Sequence, residues 1–322
     1  MSFAASTKKE LTQVPLGACC QRAELAALVQ LIGTRHADET GVRLDMQTEN
    51  AAIARLVYTL AKLQTPAPLE VVVTRKMRLR KNNQYTVRVR RGLSELLRRI
   101  GLPQCVPGDG HVQPHDCSPP QSLLGKSCCR RSWLRGAFVA AGSVNDPDSH
   151  SYHLEILAHS TALALGIERL LASHGIESKM IERKKGVIVY LKEGDRIVEF
   201  LGLIGAGQAL LHFEDVRIVK GMRNQVNRLI NCETANLNKT ITAAVRQLDN
   251  IRLIDERVGL EQLPQKLRMV AQLRLQYPDI TLQELCDALP EQVSKSGLNH
   301  RLRKLDEIAE RLRGATASRV ID

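Results

Sequence analysis

Apolar residues recur at helical spacing over residues 50–63 and 160–174, which predicts two amphipathic helices. Before each helix lies a stretch with period two. Val42, Leu44 and Met46 alternate with polar residues over 40–47, and Tyr152, Leu154 and Ile156 do so over 149–157. Period two marks a half-buried strand. After each helix comes a predicted hairpin, 71–90 and 177–192, followed by a short helix.

The two series share more than their order. Cys19-Cys20 and Cys128-Cys129 open matching segments at an offset of 109 residues, with five identities in 15 positions ending at Gly33 and Gly142. The chain therefore reads as a duplicated unit of helix, strand or strands, helix, hairpin, helix. Residues 102–126 between the copies hold five Pro and three Gly and read as a linker or surface insertion with a disordered loop.

The C-terminal pattern is purely helical. Leu263, Leu267, Val270, Ala271 and Leu273 predict a helix that Pro278 ends. Thr281 and Glu284 form a capping-box pattern that starts a second helix. Residues 290–293 form a turn, and Ser294 is suited to cap a third helix whose buried stripe is Leu298, Leu302, Leu305, Ala309 and Leu312. Residues 223–256 contain no Pro or Gly and predict a long linker helix. Its early asparagines suit contacts with DNA or stitching of the domain edge, and the pattern does not choose between them. Its apolar stripe also suits dimerisation.

Charge adds a partner class. The 322 residues carry a formal net charge of +12, and residues 72–99 hold 10 basic residues against one acidic. In the first hairpin Lys76, Arg78 and Arg80 alternate with Met77 and Leu79, while Arg88 and Arg90 alternate with Val87 and Val89. A three-residue loop, Asn82-Asn83-Gln84, would put both basic rows on one sheet face suited to phosphates. On the third C-terminal helix Lys295, Asn299 and Arg303 form one row and Ser296, His300 and Lys304 the adjacent one. Side chains near the start of such a helix reach base edges in the major groove. Lys295, Ser296, Asn299 and His300 are the expected base readers, and Arg301, Arg303 and Lys304 the expected phosphate contacts.

Other classes find less support. The longest uncharged run, 200–213, is too short for a membrane span, and no apolar segment follows Lys8 and Lys9 as a signal peptide would require. Eight cysteines without such a signal read as thiols, and adjacent cysteines on a helix point in different directions. Cys105, His111, His115 and Cys117 do not follow zinc-finger spacing. No metal or other cofactor is expected.

The segments 25–34 (LAALVQLIGT) and 134–143 (LRGAFVAAGS) resemble the LAGLIDADG motif of homing endonucleases. The chain resembles more specifically the WhiA family of bacterial sporulation and cell-division regulators. That resemblance rests on 134–147 (LRGAFVAAGSVNDP), Tyr152-His153-Leu154-Glu155, the Asn-rich stretch 224–238 and 293–305 (VSKSGLNHRLRKL). It implies an α+β LAGLIDADG-like saddle of two repeats followed by an all-α helix-turn-helix domain. LAGLIDADG nucleases bind divalent metal through an acidic residue at the eighth motif position, where this chain has Ile32 and Ala141. Neither side chain can ligate a hard cation.

The expected layout is a first repeat at 1–101, a linker or insertion at 102–127, a second repeat at 128–222, a linker helix at 223–259, a helix-turn-helix at 260–313 and a tail at 314–322. The expected function is a non-catalytic, sequence-specific transcription regulator, cytoplasmic and nucleoid-associated, that binds promoter DNA and works with other regulators. Control of division, chromosome segregation or sporulation genes is implied by the resemblance alone. The competing readings are an active endonuclease and a protein-interaction adaptor.

Overall fold

The computed structural model describes residues 2–38, 41–75, 83–103 and 112–317. They form two compact units, residues 1–220 and 221–322.

The first unit holds two copies of one arrangement. The first copy runs α2 (Ala18–Ile32), β1 (Gly33–Asp38), β2 (Gly41–Thr48), α3 (Ala51–Gln64), β3 (Leu69–Arg75), β4 (Asn83–Val89) and α4 (Leu93–Arg99). The second runs α5 (Ser127–Ala141), β5 (Gly142–Val144), β6 (Leu154–Ala158), α6 (Thr161–Ala172), β7 (Lys179–Arg183), β8 (Gly186–Leu191) and α7 (Gly194–Ile204). Each makes an antiparallel four-stranded sheet, ordered β1-β2-β4-β3 and β5-β6-β8-β7. An additional helix, α1 (Phe3–Leu11), precedes both.

The strands β1 and β5 have no alternating signature, because each continues directly from a buried helix end. Gly33 and Gly142 make these junctions with ordinary extended backbone. A Cβ there would overlap Val29 and Phe138 in the preceding turn, so space, not a left-handed conformation, selects glycine.

The helices α2 and α5 pack together at the centre of the unit. Residues 23–31 of α2 and Ser132–Val139 of α5 are buried through every turn. Gly136 permits this approach: a Cβ would sit 2.6 Å from the Glu24 carbonyl oxygen. The few aromatics concentrate in the same core, where Trp133, Phe138, Phe200 and Phe213 are fully buried.

The segment between the copies is not a disordered loop where it is described. Cys117 and Leu124 are buried, and short 3-10 turns form at Pro114–Asp116 and Gln121–Leu123. Gln30 Nε2 donates to the carbonyls of Cys117 and Ser118 at 2.9 and 3.1 Å. The core thus secures the described part of the segment through side-chain hydrogen bonds to its backbone.

The helix α8 (Gly207–Arg257) starts well before the sequence pattern suggested, because Leu210 and Phe213 pack on the first core. Gly259, at φ 83°, closes its C-terminus, donating its backbone N–H to Ile254 O and Asp255 O. In the second unit α9 (Gln265–Gln276), α10 (Leu282–Asp287) and α11 (Lys295–Ala317) close over Ile251 and Ile254 of α8. Among the described residues no helix is long and apolar enough to cross a membrane.

Candidate nucleic-acid interface

The α10–turn–α11 segment is built from local signals. The Thr281 hydroxyl accepts from Glu284 N at 3.3 Å, and the Glu284 carboxylate accepts from Thr281 N at 2.7 Å. The backbone N–H of Thr281, and then its side chain, stabilise the charged carboxylate and lower the Glu284 pKa. The Ser294 hydroxyl accepts from Gly297 N at 3.2 Å and fixes the start of α11. Leu298, Leu302, Leu305 and Ala309 then face the core.

That register leaves Lys295, Ser296, Asn299, His300, Arg303 and Lys304 exposed on α11. Four of them lie in its first two turns, where a groove-bound helix meets base edges. Arg301 differs from its sequence assignment as a phosphate contact. Its guanidinium lies 3.2 Å from the Glu291 carboxylate, and its side chain is only 16% exposed. The position three residues beyond Leu298 turns back toward the core edge, so Arg301 braces the turn before α11.

In the first sheet, Leu44, Met46, Val87 and Val89 face the helices. The opposite face therefore presents His36, Arg43, Asp45, Arg88 and Glu70. It is not a row of available cations. Arg88 donates to Asp45 through Nε at 2.7 Å and Nη2 at 2.9 Å. Arg43 is 3.5 Å from the same carboxylate. Glu70 lies 3.8 Å from Arg88 and 3.5 Å from Arg90. Burial alone would raise the Asp45 pKa, but hydrogen bonding and charge from Arg88, then Arg43, outweigh it and lower the pKa. Two carboxylates thus occupy the centre and edge of the face assigned to phosphate. Asp45 escaped the sequence reading because it belongs to another strand, and register alone sets it opposite Arg88.

The hairpin register also corrects the three-residue loop. Arg75 pairs with Asn83 and Thr74 with Gln84, so Asn83 and Gln84 are ladder residues. Lys76, Arg78 and Arg80 lie outside the described residues. On the second sheet the corresponding face includes Glu155, which lies 3.0 Å from His153, and Tyr190, with Lys192 Nζ 5.3 Å above its ring. It is less basic in its side chains than the first hairpin's sequence.

Ile32 and Ala141 are the last residues of α2 and α5. Both motif helices therefore end on apolar side chains where an acidic ligand would be needed.

At the opposite, N-terminal ends of the same helices, the expected divergence of the cysteine side chains does not hold. The Sγ atoms of Cys19, Cys20, Cys128 and Cys129 all lie within 4.8 Å of one another. Adjacent residues on one helix do point apart, but here each pair straddles the contact between two helices and converges on the other pair. Cys117, by contrast, is buried with Sγ 3.7 Å from Gln113 O, and His115 stacks edge-on with His159 at 5.5 Å. Cys105 and His111 lie outside the described residues.

Between the cysteines and the motif ends, the helix pair buries polar groups. Glu24 is fully buried and meets Arg135 Nη1 at 3.3 Å. Arg135 Nε also donates to Ile204 O at 2.6 Å. Burial pushes the Glu24 carboxyl up to about 7, outweighing the attraction of Arg135. Among the described residues its Oε1 has no hydrogen-bond partner.

Three family profiles match in chain order. The WhiA N-terminal LAGLIDADG-like domain matches residues 18–103, the WhiA LAGLIDADG-like domain 130–223 and the WhiA C-terminal HTH domain 226–309. A relative from Anoxybacillus flavithermus, named "Probable cell division protein WhiA", is 54% identical over 318 residues, covering 97% of this chain and 96% of its own. The chain belongs to the WhiA family. A similarly named relative from Bacillus licheniformis is 53% identical, covering 97% of this chain and 98% of its own. The crystal structure of full-length WhiA from Thermatoga maritima aligns with a TM-score of 0.58 at 26% identity, over 97% of this chain and 99% of that one. The WhiA architecture, two LAGLIDADG-like repeats and a helical C-terminal region, is thus the architecture of this chain.

Proposed function

We propose that this WhiA-family protein is a non-catalytic, sequence-specific DNA-binding regulator of transcription. The observation that carries the reading is the exposed face of α11, with Lys295, Ser296, Asn299 and His300 in its first turns on a capped, well-packed helix. Lys295 can donate to guanine and Asn299 can bond adenine through two hydrogen bonds. Arg303 and Lys304, further along, suit phosphates.

The partner is double-stranded promoter DNA, and the site of action the cytoplasm at the nucleoid. The relatives' description as cell division proteins supports genes of division, chromosome segregation or sporulation as targets. In the first unit, Lys76, Arg78 and Arg80 remain the proposed phosphate-facing cluster. Arg88 and Arg90 act first as partners of Asp45 and Glu70. The apolar motif ends at Ile32 and Ala141 support binding without cleavage, because phosphodiester hydrolysis of the LAGLIDADG type requires carboxylate-held metal there. The division of labour follows the proposed layout: the repeats at 1–101 and 128–222 form one body, and residues 260–313 form the reader.

Genome-wide immunoprecipitation of the tagged full chain tests this function. Discrete enriched intervals upstream of genes are expected. Uniform recovery without enriched sites would contradict sequence-specific binding.

A further inference from the structure

Cys19 and Cys20 lie in the first turn of α2, and Cys128 and Cys129 in the first turn of α5. The sulfurs of Cys19 and Cys20 are 3.9 Å apart, and those of Cys128 and Cys129 are 4.0 Å apart. Every pair among the four is within 4.8 Å. A tetrahedral zinc with zinc–sulfur bonds of about 2.3 Å holds its sulfurs about 3.8 Å apart. The observed separations therefore enclose one such ion with small side-chain adjustments.

Other uses of four thiols fit less well. Two disulfides would each bring a pair to about 2 Å, whereas the sulfurs within each pair are 3.9 and 4.0 Å apart and no two of the four are more than 4.8 Å apart. An iron–sulfur cluster inserts its own bridging sulfides and needs its cysteines further apart. A structural core would bury such thiols apart from one another among apolar groups. Instead Cys19, Cys20 and Cys128 are only half-buried, and Cys129 alone is fully buried.

The surroundings suit a negatively charged tetrathiolate centre. Two helix N-termini converge on it, and each favours thiolate over thiol. A surface cleft lined by Cys20, Cys128, Arg131 and Ser132 gives an ion access from solvent. All four ligands come from protein, with no position left for substrate, which is the pattern of a structural site.

We propose that Cys19, Cys20, Cys128 and Cys129 form a structural zinc site that clamps the N-terminal ends of the two motif helices. Each repeat supplies two ligands, so neither repeat holds the ion alone. The site joins the two copies across their interface, at the opposite helix ends from Ile32 and Ala141. It does not depend on the DNA-binding reading.

The test begins with the wild-type full chain, purified under reducing conditions, supplied with zinc and freed of excess. Native mass spectrometry should find one zinc per chain. Alkylation with N-ethylmaleimide should spare four cysteines until a chelator is added, after which Cys19, Cys20, Cys128 and Cys129 become labelled. Cobalt in place of zinc should give the visible absorption of a tetrahedral thiolate complex. Cys19→Ser with Cys128→Ser should abolish stoichiometric zinc. Zinc-free protein after this loading, labelling of these four thiols unaffected by zinc, or full zinc retention in the double variant would overturn the proposal. The labelling arm uses only the wild-type chain, so a variant that fails to fold leaves the result decisive.

Discussion

Arg88 holds Asp45 by two hydrogen bonds, 2.7 and 2.9 Å long, across the β4–β2 ladder. Asp45 is 3% exposed, so this guanidinium is the main compensation for a carboxylate taken out of water. Arg88→Ala should therefore act on stability. The expected cost is about 1–3 kcal/mol, the penalty for leaving a buried polar group without its partner. Chemical denaturation measures it. A variant of unchanged stability but weaker, less salt-sensitive DNA binding would return Arg88 to the phosphate-contacting role.

Arg301 and Arg303 sit two residues apart on α11 and should behave differently. Arg301 is tied to Glu291, while Arg303 is exposed. Arg303→Ala should lower the salt dependence of DNA affinity by about one unit of slope and leave the melting temperature in place. Arg301→Ala should lower the melting temperature. Paired thermal melts and salt titrations separate the two outcomes, and an exchange of phenotypes would contradict the assignment.

Glu24 makes the first unit sensitive to pH. Its carboxyl is raised from 4.5 to about 7 by burial. The folded state therefore keeps a proton that the unfolded state releases. This contribution is fully present below pH 4.5 and is lost as pH rises through about 7. Its full size is about 3 kcal/mol at 1.36 kcal/mol per pKa unit. Glu24→Gln keeps the hydrogen-bonding shape without the charge, so unfolding of this variant should lose that part of the pH dependence. An identical pH profile in both proteins would contradict the assignment.

With Mg2+ the full chain should leave supercoiled plasmid and promoter fragments intact on a gel. The reason is local: Ile32 and Ala141 end the motif helices without a carboxylate. Metal-dependent cutting that disappears when an acidic residue is replaced by alanine would overturn the non-catalytic reading.

The sequence signals that proved legible are those in which neighbours along one element decide the outcome. The helices expected over 50–63 and 160–174 form as α3 and α6, Thr281 and Ser294 cap α10 and α11, and the stripe from Leu298 to Ala309 is buried. What escaped depends on contacts between distant segments. The strand β1 carries no alternation, and the 112–113 segment that holds its Arg35, through Val112 O and Gln113 Oε1, lies far along the chain. Asp45 neutralises Arg88 only because of the β2–β4 register. The four cysteines meet only when two helices 109 residues apart pack side by side. In the interface, the exposed face of α11 follows from its heptad-like stripe, while the bracing role of Arg301 depends on Glu291 across the turn.

The most direct measurement is fluorescence anisotropy of a labelled promoter duplex, titrated with the wild-type chain and with a Lys295→Ala, Asn299→Ala variant at several salt concentrations. The wild type should bind with an affinity that falls linearly with salt on logarithmic axes, as counterion release requires. The variant should lose at least about tenfold in affinity, since each base contact is worth about 1–3 kcal/mol. Its unfolding curve should not change, because both residues are exposed. Equal affinity of the two proteins for the promoter would show that α11 is not the reader.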